Sequence, residues 1–595
     1  MQDFLGMVPS RDLTLLPDNA AAYSQNTYLY GGSIQGFASA LNVHTLANTN
    51  ANNVYRIPLG DPLDFNNSTW IESTDPYTDV IRAPVTQDTF KRYYFFSPSA
   101  VPNYSPLSDI QANSSRLKLG IPTPTQLPVI STIAPTPSKD NTTTTSITGS
   151  DGKTTTSTSP ITETRSYVYT YVSMYGEEGA PSPPTLITAQ VQSTYVISVA
   201  PPTTAMNTGR RITKIRIYRT ITDAAGYANY YFVTDLPVAT TTFQDTLLDS
   251  SVSANNIMES GTWTPPPDGL QGCVALANGI LAAWTNEKEI WFCEPYRPHA
   301  WPAAYSISVD YKIIGLGVLG TSLVIMTEGN PYICTGVTPS SMSLSKIPAH
   351  EPCLSRSSIV SAPDGVYYAA QNGLIQVTLG GTKNVTDSFL TRQDWSGYGP
   401  SNFSSARYSS AYIAFSKNSN LASSNSDNGF IIDPSSPNML FNYIKFGTPV
   451  KNIVQDEATG NALIISNGKV YNWDAPDATT QFSYVWRSKI FQFPFKQQFI
   501  AAIIYFDVPT TVAITPTSST RNTAQPQTFD ATKQYFVFRV YADNRLVLTR
   551  EVQKTGEIIQ IPSGFKANFW QFEVEGQVVI SNIQVATSVK ELGSV

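Results

Sequence analysis

Charge is what this chain most lacks. Asp, Glu, Lys and Arg make up 14% of its 595 residues, against roughly 25% in ordinary soluble domains. The net charge of −6 is thinly spread, and no basic block stands out. Tight, phosphate-driven binding to nucleic acid is therefore not written into the sequence. No apolar run approaches the ~18 residues that a membrane-spanning helix needs. The opening MQDFLGMVPSRDLTLLP has no positive stretch followed by an apolar core, so it does not read as a secretory signal. The expectation is a protein made and kept in a cytoplasm until something else exports it. Sequons such as Asn67-Ser68-Thr69 then carry little weight. Cysteine is sparse too: Cys273, Cys293, Cys334 and Cys353 are spaced by 20, 41 and 19 residues. That matches neither a zinc pattern nor a dense disulfide framework, and the four read as buried free thiols. No long amphipathic helix is convincing anywhere.

What is abundant points to strands. There are 32 Tyr, 27 Phe and 42 Pro, with frequent Thr. Aromatic and β-branched residues suit strands, and proline punctuates them. At roughly 150 residues per domain, the length suggests three or four domains. Composition alone gives a multidomain all-β protein.

Residues 1–50 are polar and turn-rich, with strand-like character from Ser33 to Leu46. Residues 51–131 carry NVYRIPL, DVIRAPV and FKRYYFF, bounded by Pro, Asp or Asn, then a Pro- and Ser-rich connector. Residues 132–163 are dominated by low-complexity Thr and Ser, which cannot bury a core. Residues 164–262 alternate with period two in RSYVYTYVS, followed by TYVISVA, KIRIYRT and YYFVTDL. About seven strands at this spacing predict an immunoglobulin- or fibronectin-like sandwich. Residues 263–480 repeat one plan of turn, apolar strand, polar turn and second strand. Asn278-Gly279, Asp364-Gly365, Asn372-Gly373 and Asn467-Gly468 supply the positive φ angles of tight hairpins. Serial hairpins at such intervals predict propeller blades. Residues 481–595 alternate again and predict a terminal β-sandwich. The expected architecture is all-β: a β-propeller core, an inserted sandwich, and a terminal β-sandwich platform. The N-terminal residues 1–50 should join that platform, placing Leu16 near Phe569, because neither piece closes a core alone.

No residue presents itself as catalytic, cofactor-binding or metal-ligating. Gly315-Leu316-Gly317-Val318-Leu319-Gly320 fits G-x-G-x-x-G, but TSLVIMT follows it, a strand rather than the helix a dinucleotide needs. Tight turns between blade strands explain it better. His44, His299 and His350 are far apart in sequence, and His299, in EPYRPHAWP, reads as a packed residue rather than a base. No G-x-S-x-G elbow exists. Glu177-Glu178 and Asp456-Glu457 are adjacent carboxylates whose side chains point to opposite faces of a strand, not a glycosidase pair flanking a bond. Solvated turns account for them. NSDNGF, from Asn425 to Phe430, faintly resembles the Asp box of sialidase propellers but lacks the Thr-Trp ending.

Several stretches resemble, in order, the tail nozzle (tail tubular) proteins of short-tailed bacteriophages. These are DLTLLPDNAAAYSQNTYLYGGSIQGF, DVIRAPVTQDTFKRYYFFSPSAVP, RSYVYTYVSMYGEEGAPSPPT and TKIRIYRTITDAAGYANYYFVTDLPVATTTFQD. The most specific is LQGCVALANGILAAWTNEKEIWFCEPYRPHAWPAAYSISVDYKIIGLGVLGTSLVIMTEGNPYICTG, and SGFKANFWQFEVEG and IQVATSVKEL close the series. The resemblance is colinear over most of the chain. It implies a non-enzymatic virion protein, a homo-hexamer below the head-to-tail adaptor that also meets tail fibres or spikes. Genomic DNA would be held in its channel and then conducted through it without sequence-specific binding. No cofactor is implied. The Thr-rich segment departs from the family pattern. A two-stranded ribbon from about Asn141 to Ser159, turning at Gly149-Ser150-Asp151-Gly152, is its predicted form. The competing functions are a receptor-binding fibre or spike, and a propeller lectin or glycosidase.

Overall fold

The computed structural model describes residues 1–85, 87–222, 228–416, 428–436, 441–507 and 536–592. The chain is almost wholly β, and its longest described helix, Thr204–Arg210, has seven residues.

Among the described residues, seven antiparallel strand sets stand around one axis as blades, the sixth continuous with a larger sheet. The first is the hairpin Asn53–Pro58 and Ser68–Ser73. The second begins at Asp79–Arg82, the third at Gln271–Ala275, the fourth at Ile313–Leu319 and the fifth at Val360–Ala362. The sixth begins at Phe403–Tyr408 and the seventh at Val450–Gln455. From the second blade to the seventh these opening strands touch one another in turn, Val450–Gln455 returns to Asn53–Pro58, and Ile57 of the first blade shares a core cluster with Val80 of the second. The sequence explains the middle strands. A blade has a neighbour on each face, so its second strand must be apolar on both sides. LAAWT, SLVIMT, GVYYA, AYIAFS and ALIIS are accordingly buried at every position.

The hydrophobic cores lie between successive blades. Tyr94, Phe96, Leu281 and Trp301 fill the second gap, Ile290, Phe292, Ile313 and Leu323 the third, and Met326, Val366 and Tyr368 the fourth. Trp301 is fully buried, and its Nε1 donates to Pro298 O at 2.7 Å. The ring is closed by chain from its far end. Leu41–Thr45 forms the outer strand of the seventh blade, pairing with Lys469–Asn472. Leu46 and Val54 then pack with Leu463, Ile465 and Val470.

Between the second and third blades the chain leaves the ring. Val129–Ile133, Thr194–Ser198 and Thr242–Asp245 form one sheet. Thr185–Gln190, Thr162–Ser173, Ile212–Thr222 and Ala228–Pro237 form the other. Tyr167, Tyr169 and Tyr171 project from one face of their strand into the sandwich core with Tyr195, Ile197 and Ile215. Arg219 is also fully buried there, its Nη1 3.1 Å from Asp245 Oδ2. Thr142–Thr148 pairs with Thr154–Pro160 as a separate two-stranded ribbon.

The two ends of the chain make the platform. Ala20–Gln25 pairs with Tyr484–Ser488, which pairs with Ala567–Gly576, the strand that holds Phe569. Phe536–Ala542 and Arg545–Val552 extend this sheet. A second sheet, from Ala501–Asp507, Ile558–Gln560 and Val579–Ala586, accompanies it. Leu16 is buried, and Ile490 N donates to Leu13 O beside it. Ala20–Gln25 also touches the outer strand of the sixth blade in parallel, at Gln25 and Tyr443.

Two boundaries differ from the sequence reading. Leu41–Thr45 lies within the first 50 residues yet belongs to the propeller, because ring closure needs an outer strand that the seventh blade does not itself contain. The propeller's first part ends at Lys118 rather than residue 131, since Val129–Ile133 pairs with a sandwich strand. The four predicted turns all join antiparallel neighbours, and the glycine of each has a positive φ, though not the same one. Asn467 and Gly468 take φ of 47° and 71°, the values of a mirror-image hairpin turn. Gly365 and Gly373 stand at 159° and 157°, close to extended. There the neighbours exclude a side chain: a Cβ on Gly373 would meet Thr386 Oγ1 at 2.3 Å.

Candidate functional site

The opening strands of the blades surround an axial cavity of about 530 Å³. Tyr55, Asp79, Arg82, Ser361, Gln455 and Glu457 give it polar walls, between Val54, Val80, Val274 and Val318. Asp79 ties three blades together there. Its carboxylate accepts from Arg356 Nη2 at 2.8 and 3.0 Å and from Cys273 N at 3.1 Å. Burial raises the Asp79 pKa, and the Arg356 guanidinium opposes that rise. Beside it, Tyr55 Oη of the first blade donates to Glu457 Oε2 at 2.9 Å, and desolvation of this carboxyl raises its pKa as well, although the residue stands in an exposed turn. Each acidic group is thus already engaged, Asp79 by a cation and a backbone amide and Glu457 by a phenol. These contacts make the throat a set of cross-blade staples.

Of the adjacent carboxylates of the sequence reading, Glu457 does stand in an exposed turn, but Glu177, Glu178 and Asp456 are buried. Glu177 and Glu178 are both buried where the sandwich meets the propeller, and they do point to opposite sides. Glu177 Oε1 lies 2.5 Å from Arg92 Nη1 of the second blade. Glu178 accepts from Thr170, Tyr218, Ser260 and Arg216 within the sandwich. Asp456 is sealed against Arg56. These carboxylates are structural partners for arginines at the same places, and unpaired they would be costly to bury.

His299 sits in the same junction as Glu177. Its Nδ1 is 3.9 Å from Glu177 Oε1, its ring meets Trp263 edge-on, and burial, with Arg297 and Arg92 nearby, lowers its pKa to about 3. It is therefore a neutral packed histidine. His44 is far away on the closing strand, stacked on Trp70 at 4.6 Å and bonded to Glu72, and His350 is exposed. Four polar atoms in or near the junction are buried without a hydrogen bond: Tyr94 Oη, Tyr104 Oη, Glu177 Oε2 and His299 Nε2.

The glycine motif at 315–320 is no phosphate loop, and Gly320 alone of its three glycines serves a turn, at φ 62° in the hairpin that pairs Leu319 with Ser322. Gly315 and Gly317 lie within the strand Ile313–Leu319, and a Cβ on either would stand 2.5 Å from Ile359 or Val366 of the next blade. Close approach of two sheets is what these glycines serve. The four cysteines are buried and reduced. Of the NSDNGF stretch, residues 425–427 lie outside the described residues, and Asn428–Ile432 is an ordinary blade strand. Among the described residues no three His, Cys, Asp or Glu side chains gather as metal ligands, and no helix is long and apolar enough to cross a membrane.

Sequence reasoning missed Asp79–Arg356 and Arg56–Asp456. Their partners lie 277 and 400 positions apart, and nothing local marks them.

Comparison with protein-family models gives no match, and comparison with curated proteins gives none either. Among solved structures, the chain is similar to BBS1N in complex with ARL6DN, soaked with mercury, at 9% identity and a TM-score of 0.26, over 72% of this chain and 99% of that one. The same complex soaked with lead gives 9% and 0.25, over 68% and 94%. The AfRom2 CNH domain gives 9% and 0.24, over 49% and 90%. Likeness this low carries no argument; the propeller rests on the strand order and on cores that lie between blades.

Proposed function

We propose that this chain is a structural virion protein, the tail nozzle subunit of a short-tailed bacteriophage. Six copies would form a tube below the head-to-tail adaptor, retaining packaged DNA and conducting it into the host. The reading rests on the colinear sequence resemblance. What supports it in the fold is the platform, where both ends of the chain share one sheet that runs on into the sixth blade. Such a platform offers a rigid mount for an adaptor at one end of the propeller. The role is mechanical and non-enzymatic, with the axial throat of each propeller held shut by its own staples. The DNA channel would be the central opening of the ring of subunits, not the axis of any one propeller. The cavity there, about 530 Å³, is far too small for a duplex whose major groove alone is roughly 12 Å wide.

The test is the mass and position of the assembly. Particles containing this chain should show six copies in a ring beneath the adaptor by cryo-electron microscopy. A trimer at the tail tip would favour a spike, and a soluble monomer that cleaves or binds glycans would favour the lectin or glycosidase reading.

A further inference from the structure

The ribbon of Thr142–Thr148 and Thr154–Pro160 has no use inside its own subunit. Every residue in it except Thr142 is exposed. Among the described residues its strands pair only with each other. It is not a linker either. Ile161 N donates to Asn141 O at 2.9 Å, so the chain departs and returns at one point. That base is built with care. Asn141 is buried, its Oδ1 accepts from Ser138 N at 2.8 Å, and its backbone O accepts from Gln190 Nε2 at 3.0 Å. Val191 N bonds to Ile161 O at 2.8 Å. The second strand runs almost directly into the long sandwich strand Thr162–Ser173. The arm is therefore aimed from a fixed root and reaches about 20 Å, at roughly 3.3 Å per residue.

An isolated two-stranded hairpin is marginal in water, and ordering this one costs conformational entropy with almost no burial in return. The return must come from another molecule. We propose that the ribbon is an intersubunit arm that docks on a second copy of this chain; this rests on the ring-forming function proposed above.

Charge argues for that occupant. Between Asn141 and Ile161 the only charged residues are Asp151 and Lys153, which oppose each other at the tip. Such an arm has nothing to offer a phosphate backbone or an anionic lipid surface. It suits an identical chain, because copies that each carry −6 repel one another wherever charge faces charge. Its chemistry is hydroxyls, methyls and open strand edges, which pair with another backbone. Its size also fits: residues 142–160 approach the roughly 20–30 residues that a standard interface uses on each side. A closed ring needs two different surfaces on each subunit, and the arm supplies one.

The four native cysteines are buried, so a Thr145→Cys substitution gives the full-length chain one accessible thiol for a photo-cross-linker. In the assembled ring, cross-links from this position should reach another copy of the chain, identified by mass spectrometry. Replacing residues 142–160 by two glycines should leave the thermal melting of the propeller unchanged. It should raise the concentration for half-assembly by about tenfold or more. Ile147→Lys, at a position 70% exposed, should shift assembly in the same direction without touching the fold. A ring that forms unchanged without the arm would overturn this proposal while leaving the nozzle reading intact. So would cross-links only to a different protein or within the same subunit. If the chain forms no ring under any condition, both fail together.

Discussion

Arg56 Nη2 lies 2.7 Å from Asp456 Oδ2 with both side chains sealed from solvent, although 400 positions separate them in the chain. Arg56 belongs to the first blade and Asp456 follows the opening strand of the seventh, so this pair bolts the ring where its ends meet. Arg56 also reaches Pro62 O at 2.7 Å and Ser68 Oγ at 3.1 Å, which engages two more of its donors.

Removing one partner should be far worse than removing both. Arg56→Met leaves a buried carboxylate without its cation and should cost about 3–5 kcal/mol. The double variant Arg56→Met with Asp456→Leu should recover much of that loss, because two apolar side chains need no counter-ion. Urea denaturation followed by tryptophan fluorescence measures both, and equal losses would contradict the assignment.

Gly317 should be less replaceable than Gly315. A Cβ on Gly317 meets Val366 Cγ1 at 2.5 Å and Val366 Cβ at 3.3 Å, a branched group close to its own backbone. A Cβ on Gly315 meets the tip of Ile359 at 2.5 Å, which can swing aside, and Arg356 Cγ at an ordinary contact distance of 3.4 Å. Gly317→Ala should cost about 1–3 kcal/mol, and Gly315→Ala less. Thermal melting of the two purified variants ranks them.

His299 makes stability depend on pH. Burial holds its folded pKa near 3, below the ordinary 6.5, with Arg297 and Arg92 adding repulsion. The unfolded chain therefore takes up the proton first. The contribution of His299 to stability is complete above about pH 6.5 and is lost as pH falls, by up to ~1.4 kcal/mol per pH unit. Glu177, raised by burial, acts in the opposite sense above its ordinary 4.5. The difference between wild type and His299→Asn isolates the histidine. Wild type should lose more stability than the variant between pH 7 and 5.5 in matched urea titrations, and parallel curves would count against this account.

The thiols should be silent. Burial pushes Cys293 and Cys353 up to about 12 and Cys334 to about 11, and Cys273 is raised well above the ordinary value. Thiolate is the reactive form, so a thiol reagent at pH 8 should find no cysteine in the native protein and all 4 in denaturant. Any rapid native reaction would show that one of these blade interfaces opens.

Local pattern carried the architecture further than it carried the chemistry. The hairpin turns at Asn278-Gly279 and Asn467-Gly468 were legible because a short loop and its two strands are contiguous. The Thr-rich ribbon was legible for the same reason. The three Tyr of RSYVYTYVS revealed their inward face, but not that the opposite face is also covered, with Val168, Thr170 and Val172 buried. The doubled carboxylates misled because Glu177 and Asp456 owe their burial to arginines 85 and 400 positions away. Period and turn chemistry hold no record of such distant partners. Gly315 and Gly317 misled for a related reason: glycine marks either a turn or a close approach, and only the neighbouring blade decides which. The strand Leu41–Thr45 gave no sign of its destination, since the residues that receive it begin at Lys469.

That strand also sets the order in which the molecule can be finished. Leu41 pairs with Asn472 and Thr45 with Lys469. At about 5–20 residues per second of synthesis, Leu41–Thr45 emerges roughly 20–85 s before the strand it must join. Throughout that interval the nascent propeller is an arc with two raw edges, while its sandwich insert can already close on its own contiguous strands. Long-range pairing of this kind is slow because the loop must be closed before any contact rewards it. Completion of the ring is thus a late event, and a ribosome that stalls before Lys469 releases a chain that has blades but no circle.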